Sequence, residues 1–232
     1  LRKLGLTMRE QGMNPRRAGV KKLICIGEPL RDRALEFLKL GTDLETIWGA
    51  KAFSTYASSE TVTTFCECTA QRGGHLHPDL GLVEIVDEQG RALPPGSAGE
   101  VVVTPLAVEG MPLVRFRTGD VSFVEEAPCA CGRFSPRLGP IIGRRQQMMK
   151  VKGTTIYPQA VYAALDQVPG VSEYYVAVSS EDSLSDELTL HASVVKGGPS
   201  AAEIAGRLQA PLRVKPKVVV EPDEEIRRHV HT

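Results

Sequence analysis

Two stretches of the chain carry donors that suit a soft or borderline metal ion. Cys68 and His75 stand in a C-x6-H arrangement through Gly73-Gly74, and Pro128-Cys129-Ala130-Cys131-Gly132 supplies a C-x-C pair further along. Zinc takes four such ligands in a tetrahedron, and a tight knuckle with Gly132 lets the backbone curl close to sulfur. Four protein ligands leave no open position, so the spacing predicts a structural ion that staples loops rather than a catalytic one. Cys66 and His77 compete for the same role, since they sit two residues away and would point to the same strand faces. A second set is Tyr56-Ala57-Ser58-Ser59-Glu60, where a hydroxyl followed by a carboxylate can hold phosphate and Mg²⁺ beside an aromatic that stacks on a base. A third is Arg115-Phe116-Arg117-Thr118-Gly119-Asp120, followed by Gly143-Arg144 and Lys150-Val151-Lys152-Gly153. An Asp after a Thr-Gly turn can accept two hydrogen bonds from a ribose diol, and an Arg nearby can reach the same sugar or a phosphate. Taken singly, each set also has a plainer reading: buried cysteines, a solvated helix cap, a strand-end turn with surface ion pairs.

Composition narrows the partners. The 232 residues include 28 Lys plus Arg against 28 Asp plus Glu, so no net field draws the chain to nucleic acid or to an anionic membrane. The content of 42% hydrophobic and 24% charged residues is that of a globular protein. No apolar run approaches the roughly 18 residues of a membrane span. Five cysteines form an odd set, four of them in the pairs Cys66/Cys68 and Cys129/Cys131, with Cys25 alone in an apolar run. That pattern argues for reduced metal ligands, hence a cytoplasmic location, rather than a disulfide framework. The chain opens at Leu1 without a methionine or a secretory signal and is expected to be a fragment of something longer.

The periodicities predict the elements that must position these residues. They give a helix over 2–12, a buried strand over 21–26, a turn at Gly27-Glu28-Pro29, a helix from Leu30 to about Leu40 on the spacing of Leu30, Ala34, Leu35 and Leu38, and a strand over 52–56. From Thr61 short strands take over, at 82–86, 100–104, 113–117 and 121–124, which reads as a small antiparallel barrel or curled sheet. After the polar run Gly143 to Gln147 comes a strand, a helix (158–168), strands at 174–178 and 188–195, a helix (201–209) and a strand (217–220), with a solvated charged tail. The fold class is therefore α/β plus α+β. Residues 1–145 make one domain, with α/β units over 1–60 and a zinc-stapled β-barrel subdomain over 61–142, and 146–232 make a small ferredoxin-like domain. A sheet that begins partway would expose an edge needing a partner, which leaves a homo-oligomer open.

In this order the pieces resemble the second half of the acyl-adenylate-forming enzymes, and among them the phenylacetate-CoA ligase family. The resemblance runs from about Gly27 to Val220 and is carried by Ile26-Gly27-Glu28-Pro29, Tyr56 to Glu60, Phe65 to His75, Leu82 to Asp87, Met111 to Asp120, Cys129 to Arg133, and Gly143-Arg144 through Lys152-Gly153 to Tyr157-Pro158. It implies that Gly27, Glu28 and Pro29 wall the adenine pocket with Tyr56 on the other side, that Ser59 and Glu60 approach the phosphates and Mg²⁺, that Asp120 binds the ribose hydroxyls, and that Arg144 contacts the nucleotide just before an interdomain hinge at 145–147. Lys152 matches a basic position used in the thioester-forming conformation, and some members carry zinc on the positions matched by Cys68, His75, Cys129 and Cys131. The implied activity is that of an ATP-dependent, AMP-forming carboxylate-CoA ligase for phenylacetate or a related aryl acid, with ATP/AMP, Mg²⁺, CoA as cosubstrate and a structural zinc ion. Four departures stand out: no Gly/Ser/Thr-rich phosphate loop, no C-terminal Gly-Lys lysine, Gln146-Gln147 where relatives usually carry acidic residues, and Tyr56-Ala57 in place of the usual Tyr-Gly. The chain alone is therefore expected to lack turnover. The alternatives are a non-catalytic nucleotide-binding or zinc-stabilised module, and an adenylating enzyme with another acceptor.

Overall fold

The computed structural model describes residues 1–61, 63–182 and 185–230. The chain divides into two compact units, Leu1–Arg145 and Gln146–Thr232. In the first unit the amphipathic helix α1 (Arg2–Glu10) precedes strand β1 (Lys22–Ile26), helix α2 (Lys39–Trp48) and strand β2 (Lys51–Ala57). Strands β1 and β2 pair in parallel, and β3 (Thr64–Cys66) adds antiparallel to β2. Leu44, Ile47 and Trp48 of α2 pack on Leu23 and Cys25 of β1 and Ala52 of β2.

The helix expected from Leu30 to Leu40 is not formed, and the true helix lies one step later. Asp32 turns the chain instead: its Oδ1 accepts the Ala34 and Glu36 N–H groups at 2.9 and 3.0 Å, Leu35 takes a positive φ of 65°, and Arg31 bridges to Phe37. A short carboxylate that bonds its own backbone competes with the helix ladder. The turn exposes Ala34 and leaves Leu30 buried, so only part of the apparent apolar stripe reaches a core.

The rest of this unit consists of β4 (Gly74–His75), β5 (Gly81–Val86), β6 (Gly99–Pro105), β7 (Phe116–Ser122), β8 (Val124–Glu125), β9 (Arg137–Leu138) and β10 (Gly143–Arg144). Among the described residues they form two antiparallel sheets, ordered β10-β7-β6-β5 and β4-β9-β8. The strand expected at 113–117 starts only at Phe116, because Arg115 adopts φ 52° and gives its N–H to Thr104 Oγ1 at 2.9 Å.

The second unit opens with a hairpin, β11 (Met149–Val151) and β12 (Thr154–Ile156). Lys152 and Gly153 form its two-residue turn with φ 49° and 77°, the double positive φ that matches strand twist. Then follow α3 (Pro158–Leu165), β13 (Val171–Asp182), β14 (Ser185–Val194), α4 (Ala201–Leu212), β15 (Lys217–Val220) and α5 (Asp223–Val230). The sheet order is β13-β14-β15, antiparallel then parallel. Leu188, Leu190 and Ala192 alternate onto one face and meet Val161 and Leu165 of α3 and Ile204 and Leu208 of α4. The tail expected to be solvated is instead helix α5, whose Ile226 is fully buried. Ile226 is set among five charged residues, and the His229 ring packs beside it on Tyr175 at 4.8 Å between centroids.

Candidate functional site

The first unit brings Cys68, His75, Cys129 and Cys131 together, with all four donor atoms within 4.8 Å of one another. Cys68 leaves the end of β3, and Gly74 lets β4 run beside that strand: a Cβ there would stand 2.2 Å from the Phe65 carbonyl oxygen. Cys129 and Cys131 sit in the loop between β8 and β9, which tightens where the Gly132 N–H donates to the Cys129 carbonyl at 3.0 Å and Gly132 takes φ 84°. The Cys68 and Cys129 sulfurs are 3.6 Å apart, and Cys131 Sγ is 3.4 Å from His75 Nε2. A zinc tetrahedron with bonds of ~2.3 Å to sulfur and ~2.0 Å to nitrogen has edges of roughly 3.8 and 3.5 Å, so the donor set is spaced for such an ion.

Neighbouring groups orient these donors. His75 is buried, and its Nδ1 meets Ser135 Oγ at 2.9 Å; with the proton on Nδ1, the Nε2 lone pair faces Cys131. Burial holds the His75 pKa below its ordinary value, favouring the neutral ring that a metal needs. Burial pushes the Cys68 thiol up, whereas the Arg133 N–H bonded to Cys131 brings that thiol down to about 7. Arg137 of β9 donates to the Arg72 and Ala127 carbonyls at 2.6 and 2.8 Å, tying the two ligand-bearing loops to each other. Between Cys66 and Cys68, the buried Glu67 pairs with Arg31 and accepts the Ser54 N–H at 2.9 Å. Cys66 is turned away from the cluster, its sulfur accepting the Thr55 hydroxyl at 3.1 Å. His77 is outside the cluster as well. Ser135, Arg137 and Glu67 had no signal in the sequence, because each acts through partners distant along the chain.

A second cluster gathers Tyr56, Asp120 and Arg144. Tyr56 Oη donates to Asp120 Oδ2 at 2.9 Å, and Arg144 Nε donates to Oδ1 at 3.1 Å. Register explains the second contact, since Arg144 of β10 lies directly opposite Asp120 of β7. The turn expected before Asp120 is instead an irregularity within β7, where the register against β6 shifts and Thr118 accepts the Asp120 N–H at 3.1 Å and gives its hydroxyl to the Val101 carbonyl. Burial raises the Tyr56 pKa strongly, so its phenol stays a proton donor, and its ring lies nearly parallel to Phe65 at 6.2 Å. Gly27, with φ 82°, and the exposed Glu28 and Pro29 follow β1 at the carboxyl end of the parallel pair, the same end at which β2 carries Tyr56. Carboxyl ends of parallel strands are where α/β sheets bind ligands. Ser59 and Glu60 are exposed on a 3₁₀ turn, Ser59–Thr61, and the backbone N–H of Glu60 keeps its own carboxyl below the usual range. Lys152 belongs to the second unit, on the hairpin turn described above.

Comparisons with known proteins reach both units. Residues 153–231 match the family model of the AMP-binding enzyme C-terminal domain. The chain is 33% identical over 190 residues to a phenylacetate-coenzyme A ligase of Thermus thermophilus, a match covering 80% of this chain and 41% of that protein. A phenylacetate-coenzyme A ligase of Aromatoleum evansii is 28% identical over 191 residues, again with 41% of its length covered. Among solved structures, a 2-hydroxyisobutyryl-CoA ligase with a bound acyl-adenylate superposes at a TM-score of 0.79 with 27% identity, covering 99% of this chain and 54% of that one. The chain thus spans well under half the length of the curated relatives that it matches. No helix among the described residues is long and apolar enough to cross a membrane.

Proposed function

We infer, for a chain that belongs with the acyl-adenylate-forming enzymes and resembles the C-terminal part of phenylacetate-coenzyme A ligase, that it serves an AMP-forming carboxylate-CoA ligase acting on phenylacetate or a related aryl acid. The observation that carries this reading is Asp120, whose two oxygens are offered between a phenol and a guanidinium at the carboxyl end of the parallel strands. In such a ligase the acid's carboxylate attacks the α-phosphorus of ATP and pyrophosphate leaves. CoA thiolate then attacks the acyl carbon, and AMP leaves. Asp120 accepts the two ribose hydroxyls, Arg144 steadies Asp120 or exchanges to the nucleotide, and Gly27 to Pro29 with Tyr56 flank the base. Ser59 and Glu60 face the phosphates, where Glu60 offers one hard oxygen to a Mg²⁺ ion that neutralises their charge. Lys152 serves the thioester-forming step from the second unit. These groups position reactants and pre-place charge, and positioning is most of what phosphoryl chemistry asks of a protein.

Cys68, His75, Cys129 and Cys131 hold a structural zinc ion in this reading, supported by donor type and by spacing close to tetrahedral edges. We read residues 61–142 as the zinc-stapled β-barrel subdomain, and the unit from Gln146 as a ferredoxin-like domain, in line with α3 and α4 sharing one core with β14. Paired thiols kept reduced suit the cytoplasm. The test is phenylacetate-dependent ATP–pyrophosphate exchange and phenylacetyl-CoA formation by a full-length protein carrying this chain. Exchange without thioester formation would point to another acceptor, and absence of both, with intact nucleotide binding, would refute the ligase.

A further inference from the structure

Glu100 is a buried carboxylate that the reaction above does not use. It lies on β6 with its side chain 7% exposed, and two arginines converge on one of its oxygens. Arg117 of the neighbouring β7 donates Nε at 2.9 Å and also its Nη2, and Arg145 donates Nη1 at 3.1 Å. One guanidinium already neutralises one carboxylate, so charge balance does not call for Arg145. Its contact does something else. Glu100 stands opposite Val121, and Val121 stands opposite Gly143 of β10, so the Arg145 side chain reaches back across β7 to hold β6. Strand β10 is only two residues long, and residues 144–147 are all exposed between the buried Gly143 and the buried Met149. Arg145 is also the last residue of the first unit.

We propose that Glu100 is a positioning residue that pins Arg145 and thereby fixes where the segment joining the two units begins. Its purpose rests on the ligase reading, in which the small domain changes orientation between the two half-reactions; the anchor itself does not. With Arg145 pinned, rotation starts at Gln146 and leaves Arg144 in register with Asp120. Without it, motion beginning in the 3₁₀ turn Arg145–Gln147 would extend backward into the nucleotide cluster.

The test is hydrogen exchange on the chain free of substrates, so that its outcome stands even if the ligase reading fails. In Arg145→Gln the amides of 144–147 are expected to exchange about fivefold faster, the scale of a partly exposed ion pair, while β5 and β6 are unchanged because Arg117 still neutralises Glu100. Arg145→Lys, which keeps a cation within reach of the carboxylate, should retain most of the protection. Unchanged exchange in Arg145→Gln would overturn the proposal. So would a rise spread evenly over the first unit, or a failure of lysine to protect better than glutamine.

Discussion

Replacing Cys129 by serine should separate the stability of the two units. The cluster joins positions 61 residues apart at Cys68 and Cys129, and a cross-link closing a loop of that length removes about 4 kcal/mol of chain entropy from the unfolded state. A bound zinc ion acts as such a cross-link, so losing one thiolate, or chelating the metal, removes most of this term. For a unit of some 145 residues, each kcal/mol corresponds to roughly 3 °C in Tm, which gives a fall of about 10 °C. The second unit has its own core around Leu190, Ile204 and Leu208 and none of the ligands, so its melting should not move. Calorimetry with and without chelator, alongside metal analysis of protein purified without chelator, measures both. Less than about half an equivalent of zinc, or equal shifts in the two transitions, would refute the reasoning.

Asp120→Ala in a full-length ligase should weaken ATP by about 2 kcal/mol, roughly thirtyfold, and barely affect 2′,3′-dideoxy-ATP, since two charge-assisted hydrogen bonds to the diol are lost together; equal losses in calorimetric titrations would sink the ribose assignment. Arg31→Ala should destabilise the first unit by about 3–5 kcal/mol in denaturant titration, because Glu67 is left buried and unpaired. Arg117 and Arg145 keep the Glu100 carboxyl below its ordinary value against the opposing effect of burial, so its contribution is present above the unfolded pKa and is lost as pH falls through the lower folded value. Acid unfolding of the first unit, followed by circular dichroism, should therefore be shallower below about pH 4.5 in Glu100→Gln. Gly153→Ala should cost the second unit about 1 kcal/mol through its φ of 77°, and an unchanged midpoint would show that the hairpin turn can relax.

What could be seen in the sequence was what side-chain chemistry states locally. The four clustered Cys and His donors announce themselves by type and by the glycine beside them, whereas the turn expected at Thr118-Gly119 is a bulged stretch of β7, whose irregularity depends on pairing with β6. The helix over 39–48 was equally written in Leu40, Leu44, Ile47 and Trp48, but the preceding Leu30, Ala34, Leu35 and Leu38 mimic the same period, and only Asp32 bonding to its own backbone tells them apart. Contacts that depend on tertiary register had no local signature. Ser135 orients a histidine 60 residues away, Arg31 reaches Glu67 across 36, and Ile226 anchors a helix that composition alone marks as solvated.

Among the described residues of the first unit, three carboxylates are buried and ion-paired, and their partners differ in exposure. Glu67 is held by Arg31, itself only 5% exposed along its side chain and capped by the Phe37 ring at 3.9 Å; nothing from solvent can replace that guanidinium, so the pair is a fastening between the 30–38 turn, β2 and the metal loop. Glu100 is held by two exposed arginines on one oxygen, so either can leave without stranding the charge. Asp120 differs from both. Its arginine, Arg144, is 67% exposed and bonded through a single nitrogen, and its other oxygen meets a neutral phenol. A ligand with two hydroxyls can therefore displace a weakly held, solvated partner and leave the carboxylate fully bonded, at little desolvation cost because Asp120 is already buried before the ligand arrives. Of the three, Asp120 alone has one exposed arginine as its only charged partner, which makes it better suited to a diol ligand than the more deeply buried Glu67 or the doubly paired Glu100.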